Sequence, residues 1–145
     1  MGDDSGRVRA FFDDYQRAVD GLDDEFFGSA YAETFMFAGP AGAQSVKRDD
    51  FLKVLPKRAG FFEAVGLKST KLEALEATRL DDYYLMARAT WNMRYEQDPE
   101  RPIDDETSAT YLLLEHDDSL RIVFQLDHQD LMQRVKELGL VPVSA

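Results

Sequence analysis

The chain has 145 residues, 44% of them hydrophobic and ten of them Phe, enough apolar mass for one domain with a core of its own, spanning residues 1–145. It contains no Cys, which excludes disulfide frameworks, thiolate nucleophiles and Cys-based zinc sites and fits a reducing compartment. A formal net charge of -11, carried in short runs such as Asp81-Asp82 and Asp104-Asp105-Glu106, speaks against nucleic acid; with no membrane-length apolar run and no secretory pattern at the start, a cytoplasmic protein is the expectation.

Val8, Phe11, Phe12, Tyr15 and Val19 recur at three- and four-residue steps, which predicts an amphipathic helix over 4–20, capped by Asp4 or Ser5 and stopped by Gly21. Asp23 or Asp24 can cap a short second helix carrying Phe26, Phe27, Ala30 and Tyr31. Thr34-Phe35-Met36-Phe37 then reads as a strand ended by Gly39-Pro40-Ala41-Gly42. Helical spacing returns over 45–65 through Phe51, Leu52, Leu55, Phe62 and Val65, with Pro56 expected to kink or split it and Gly66 to stop it.

Four strands are predicted over 69–80, 83–96, 107–115 and 120–127, followed by a helix over 130–138 with Asp130 as cap and Gly139 as stop. Helices at one end and strands at the other predict an α+β domain whose antiparallel sheet covers its apolar face with helices, without a parallel strand-helix-strand unit. Zinc, phosphate-loop and nucleophile-elbow signatures are missing, and the two histidines, His116 and His128, lack a metal-ligand spacing, so no metal and no cofactor are expected. The most informative stretch is the last strand running into Asp127, His128, Gln129 and Asp130, a polar cluster at a strand mouth.

The element order, together with Tyr31-Ala32-Glu33-Thr34-Phe35-Met36-Phe37 leading to Gly39-Pro40, the helix start Lys47-Arg48-Asp49-Asp50-Phe51-Leu52 and the ending Leu120-Arg121-Ile122-Val123-Phe124-Gln125-Leu126-Asp127, resembles the nuclear transport factor 2 superfamily with its SnoaL-like and ketosteroid isomerase-like members. The resemblance implies a cystatin-like, cone-shaped α+β barrel: N-terminal helices on a curved antiparallel sheet, and a short C-terminal helix. In the isomerase branch a Tyr on the first helix and a strand carboxylic acid stabilise an enolate, while an Asp before a Pro at the end of the first strand moves the proton. The resemblance puts Tyr15 at that Tyr, Gly39 where the Asp would stand and Thr110 at the strand acid. Steroid-type isomerisation through those carboxylates is therefore not expected.

The same resemblance turns Leu85, Ala87, Ala89, Trp91, Met93 and Tyr95 inward, and on the last strand Val123, Gln125 and Asp127, with His128 outward. The implied ligand pocket takes Phe35, Phe37, Leu55, Phe62, Trp91, Met93 and Leu112, with Thr110 and Gln125 as polar groups; Asp127 is its catalytic base and Tyr15 its oxyanion donor. Plain alternatives stand beside each role: Asp127 as a strand-end or helix-cap acceptor, Tyr15 as a core phenol, His128 as proton carrier if the register slips by one, the aromatics as core filling. Hydrophobicity alone would bury Ile122, Phe124 and Leu126, whereas the resemblance puts them with Tyr111 and Leu113 on the convex face, where so much apolar surface predicts a homodimer. The functional expectation is a small, largely apolar ligand and cofactor-free isomerisation, cyclisation or dehydration; the alternatives are a non-catalytic ligand-binding module and an interaction subunit, separated by whether the cone is open.

Overall fold

The computed structural model describes residues 4–21 and 23–142. Four helices and six strands follow in the order α1 (Asp4–Gly21), α2 (Asp24–Ala30), β1 (Tyr31–Gly39), β2 (Gly42–Lys47), α3 (Arg48–Ala64), β3 (Leu67–Arg79), β4 (Tyr84–Tyr95), β5 (Ile103–His116), β6 (Ser119–Asp127) and α4 (Leu131–Glu137). Asp23 caps α2 by accepting from the Phe26 amide, and Asp130 caps α4 by accepting from that of Gln133, as the sequence predicts. Of the caps offered for α1, Asp4 is itself helical, and the Ser5 side chain lies outside what is described.

Two local expectations are corrected. Residues 42–47 form β2, a strand that the sequence reading assigned to a turn and the start of a helix; it carries a single large apolar residue, Val46, because it is an edge strand with little to bury. Pro56 does not split α3, which runs unbroken from Arg48 to Ala64 with the proline inside it. Gly66 does end the segment, at φ +91°. A Cβ there would stand 2.6 Å from the Gln97 backbone nitrogen, so glycine is required by both conformation and space.

The strands form one sheet in the order β2-β1-β6-β5-β4-β3. Neighbours run antiparallel except β1 and β6, which are parallel, so the sheet is mixed rather than antiparallel throughout. Helix α3 packs against β1 and β2 at one end of this order and also against β3 at the other, which requires the sheet to curl around it. Extra residues in β3, between Leu67 and Ser69 and between Leu72 and Ala74, supply the local bends that such curling needs. At the second bend the Leu72 amide donates to Gln16 Oε1 at 2.6 Å, tying the edge of β3 to α1.

Inside the curl, Val8 and Phe12 of α1 are fully buried against Trp91, Tyr111 and Ile122 of the sheet. A second cluster, Phe62, Val65, Met93, Tyr95, Val135 and Leu140, joins α3 and α4 across one end. The inward set expected for β4 is found: Leu85, Ala87, Ala89, Trp91, Met93 and Tyr95 are all buried.

On β5 the expected parity is reversed. Ala109, Tyr111 and Leu113 pair with Ala89, Ala87 and Leu85, and directly opposed residues share a face, so they too point inward and are buried. Thr110 and Leu112 consequently lie on the outer face and do not enter a pocket. The small Ala87 and Ala89 leave room for Tyr111, whose ring centroid lies 4.8 Å from that of Phe12.

On β6 a bulge settles the conflict between hydrophobicity and resemblance. Leu112 pairs with Phe124 but Leu113 with Ile122, so Val123 is an extra residue at which the strand changes parity. Leu120 and Ile122 before it are buried, as are Gln125 and the inward side of Asp127 after it. Tyr111, Leu113 and Ile122 are thereby core residues, not surface for a partner, whereas Phe124 and Leu126 remain on the outer face opposite Leu112 and Thr110.

Candidate functional site

A cavity of about 700 Å³ opens between α1, α3, β1 and the end of β6. Its apolar wall includes Phe27, Phe35, Phe37, Phe51, Leu55 and Phe62; its polar groups include Tyr15, Tyr31, Arg58, Gln125 and Asp127. Of the pocket residues expected from sequence, Phe35, Phe37, Leu55, Phe62, Gln125, Tyr15 and Asp127 line this space. Trp91 and Met93 do not: they are core, Trp91 packed on Tyr15 at 5.7 Å between centroids and Met93 beneath Tyr95. Thr110 is on the far side of the sheet, where its hydroxyl meets His128 Nε2 at 2.7 Å, and His128 is exposed there as predicted.

Four side chains from three elements form a hydrogen-bonded line. Tyr15 on α1 stands 2.9 Å, oxygen to oxygen, from Tyr31 at the start of β1. The Tyr31 hydroxyl donates to Gln125 Oε1 at 2.5 Å, and Gln125 Nε2 donates to Asp127 Oδ1 at 3.0 Å. Tyr31 has one proton and spends it on Gln125, so Tyr15 is the donor in their contact and every donor in the line points toward Asp127. Gln125 and Asp127 share a face because they are two residues apart on one strand.

Burial pushes the Asp127 carboxyl above its ordinary value; the Gln125 amide, and more weakly the charges of Arg58 and His128, pull it back. Burial also raises the Tyr15 phenol, and Tyr31 and Tyr111 go well above the usual range. All three tyrosines are therefore neutral donors at physiological pH. Asp127 neither caps α4, which Asp130 does, nor is exposed as the exterior residues are: it is a partly desolvated carboxylate facing a cavity.

A second cavity of about 400 Å³ adjoins the first, lined by the β1–β2 turn, Asp127, Gln129, Asp130 and the first residues of α4. Phe37, Gln44, Arg58 and Asp127 line both, so the carboxylate stands at the junction. Gly39 lines the smaller one, and a Cβ on it would lie 3.7 Å from the Asp127 carbonyl oxygen. The neighbouring parallel strand thus brings a carboxylate to the rim where the end of β1 has none.

Sequence reasoning missed Gln44, which lies on the unpredicted strand, and Arg58. The spacing of Leu55, Arg58 and Phe62 on one helix face carried the signal for Arg58. Its guanidinium lies 5.1 Å from the Phe62 ring centroid, and among the described residues it makes no ion pair. Among the described residues no group of three or more His, Cys, Asp or Glu is gathered to hold a metal ion, and no helix is long and apolar enough to cross a membrane.

Solved structures with the same architecture include Aln2 from a Streptomyces species, 14% identical, with a TM-score of 0.73 over 92% of this chain and 96% of that one. ActVI-ORFA from Streptomyces coelicolor is 16% identical, with a TM-score of 0.70 over 88% of this chain and 98% of that one. A protein from Novosphingobium aromaticivorans described as NTF2-like with a cystatin-like fold is 13% identical, with a TM-score of 0.71 over 95% of this chain and 90% of that one. At such identities the likeness is one of fold, which confirms the cystatin-like α+β class and carries no activity with it. No curated protein matches the chain. The family model described as NTF2-like protein (DUF6841) matches residues 3–130, and the chain belongs to that family.

Proposed function

We propose that this protein binds a small, largely apolar molecule in the larger cavity and catalyses cofactor-free proton transfer on it, an isomerisation, cyclisation or dehydration, with Asp127 as the proton acceptor. The observation that carries the reading is a carboxylate with a raised pKa lining an open, mostly apolar space at its junction with a second cavity, one oxygen held by Gln125. A cone closed by its aromatic residues would have favoured an interaction subunit instead; the space of about 700 Å³ supports a ligand. A chain without Cys suits a reducing compartment such as the cytoplasm.

The hydrogen-bonded line couples the two catalytic roles. With Asp127 ionised, Tyr15 spends its proton on Tyr31. When Asp127 takes a proton from the substrate, its O–H donates to Gln125 Oε1 once the amide turns over; Gln125 Nε2 then donates to Tyr31, and Tyr31 to Tyr15. The Tyr15 proton is released toward the cavity at the moment the substrate becomes an oxyanion. Asp127→Asn should abolish turnover while ligand binding survives, and Tyr31→Phe should slow turnover by breaking the line. The substrate comes first: native mass spectrometry of protein purified from its own cells should reveal a retained small molecule, and an Asp127→Asn variant that still turns that molecule over would refute the catalytic assignment.

A homodimer through the outer sheet face is a second proposal, independent of the first. Met36, Phe124, Leu112 and Met86 are cross-strand partners in one row of that face, Met36 and Met86 exposed and Leu112 and Phe124 partly so.

A further inference from the structure

We propose that the smaller cavity is the seat of an oxyanion head group, so that the ligand is an amphiphile: an apolar body in the larger cavity and one carboxylate, enolate or phenolate oxygen group at Arg58. This rests on the reading of the larger cavity as a ligand site and names the class of ligand. Three donors line the smaller cavity. Arg58 lines both cavities, makes no ion pair among the described residues, although its charge acts on Asp127, and is steadied over the Phe62 ring. Gln129 Oε1 accepts from the Thr107 hydroxyl at 2.8 Å and from the Ser108 amide at 2.9 Å, which uses both its acceptor sites and leaves its amide nitrogen for the cavity it lines. Gln44, on the wall shared by both cavities, offers the third donor, a second side-chain amide.

Electrostatics assign the head to this end. The larger cavity is lined by Asp20, Asp50, Glu63 and Asp127 against Arg58 and Lys68, the smaller by Asp127 and Asp130 against Arg58, so an anion meets fewer carboxylates in the smaller one. A protein of net charge -11 does not attract anions in general; preference for one has to come from a local cation, and Arg58 is the guanidinium at the junction. An arginine with free donors favours an oxygen-rich, planar group over a halide or a neutral hydroxyl. The same cation faces the oxygen on which charge develops when a carbonyl compound loses a proton to Asp127, so one residue serves both recognition and the proposed chemistry.

The probes are decanoate and decanol, which share a chain and differ in the head, each measured by displacement of a fluorescent apolar dye. Wild-type protein should bind decanoate about ten-fold more tightly than decanol, the gain of one charge-assisted contact. Arg58→Gln should remove that preference and leave decanol unchanged; Arg58→Lys should keep part of it. Arg58 is exposed on its helix, and circular dichroism of each variant checks that the fold is intact. Equal binding of the two probes by wild type, or a preference that survives in Arg58→Gln, overturns the head-group assignment while the apolar cavity stands. Failure of dye, decanol and decanoate alike to bind overturns the ligand-site reading itself.

Discussion

Gln125 holds Asp127 from the neighbouring inward position of the same strand, its amide nitrogen 3.0 Å from Asp127 Oδ1, while its own oxygen takes the Tyr31 proton. That contact is possible only because the bulge at Val123 changes the parity of β6. Without it the buried Leu120 and Ile122 would force Gln125 and Asp127 outward, and neither would line the cavity.

Asp127→Asn should make the protein more stable at neutral pH. Burial raises the carboxyl's folded pKa above its unfolded value, so the native state binds the proton more tightly; the stability from the protonated form is present in full below about pH 4 and is lost as pH rises through the folded value. The neutral amide avoids that loss. Its advantage, about 1.4 kcal/mol per unit of pKa displacement, should appear in urea unfolding above that window and vanish at the acid end. An advantage that grows on acidification would have the wrong sign.

Gly66→Ala should cost more than about 2 kcal/mol, because a left-handed backbone conformation and a contact of 2.6 Å with the Gln97 backbone act together. Chemical denaturation measures it, and a loss below about 1 kcal/mol would mean that the β3–β4 end yields easily.

Phe12→Ala should cost about 3–5 kcal/mol, since a fully buried ring packed on Tyr111 and Trp91 leaves a cavity at the centre of the core. The same denaturation series provides the test; a cost near that of a surface substitution would displace α1 from its role as the principal cover of the sheet.

How much of this was legible in the sequence depends on what each strand has to bury. On β4 apolar and polar residues alternate cleanly, and the inward set was readable from Leu85 to Tyr95. On β5 the run from Tyr111 to Leu114 is apolar on both faces, so parity could not be read locally; it is fixed by pairing with Ala87 and Ala89. On β6 hydrophobicity and resemblance pointed opposite ways because each was right for half of the strand. Edge strand β2 had too little hydrophobic signal to be seen, and with it went Gln44. Asp127, Tyr15 and Gln125 were found through resemblance; Arg58 was missed because a lone arginine on an amphipathic helix reads as a solvated charge.

Phe124→Glu on the outer face should convert a dimer to a monomer of 16.5 kDa in light scattering, with no change in circular dichroism, because Phe124 lies outside the buried core. A wild-type protein that is monomeric at micromolar concentration would remove the dimer proposal.

The proposed chemistry turns on the state of one carboxyl group, and an NMR titration of the Asp127 carboxyl carbon, assigned by comparison with Asp127→Asn, measures it directly. The wild-type group should titrate above the ordinary 3.8, and Gln125→Leu should carry it higher still by removing the bond that holds it down. A wild-type midpoint at or below 3.8 would show Asp127 to be a well-solvated or ion-paired carboxylate and would contradict its role as the proton acceptor of this cavity.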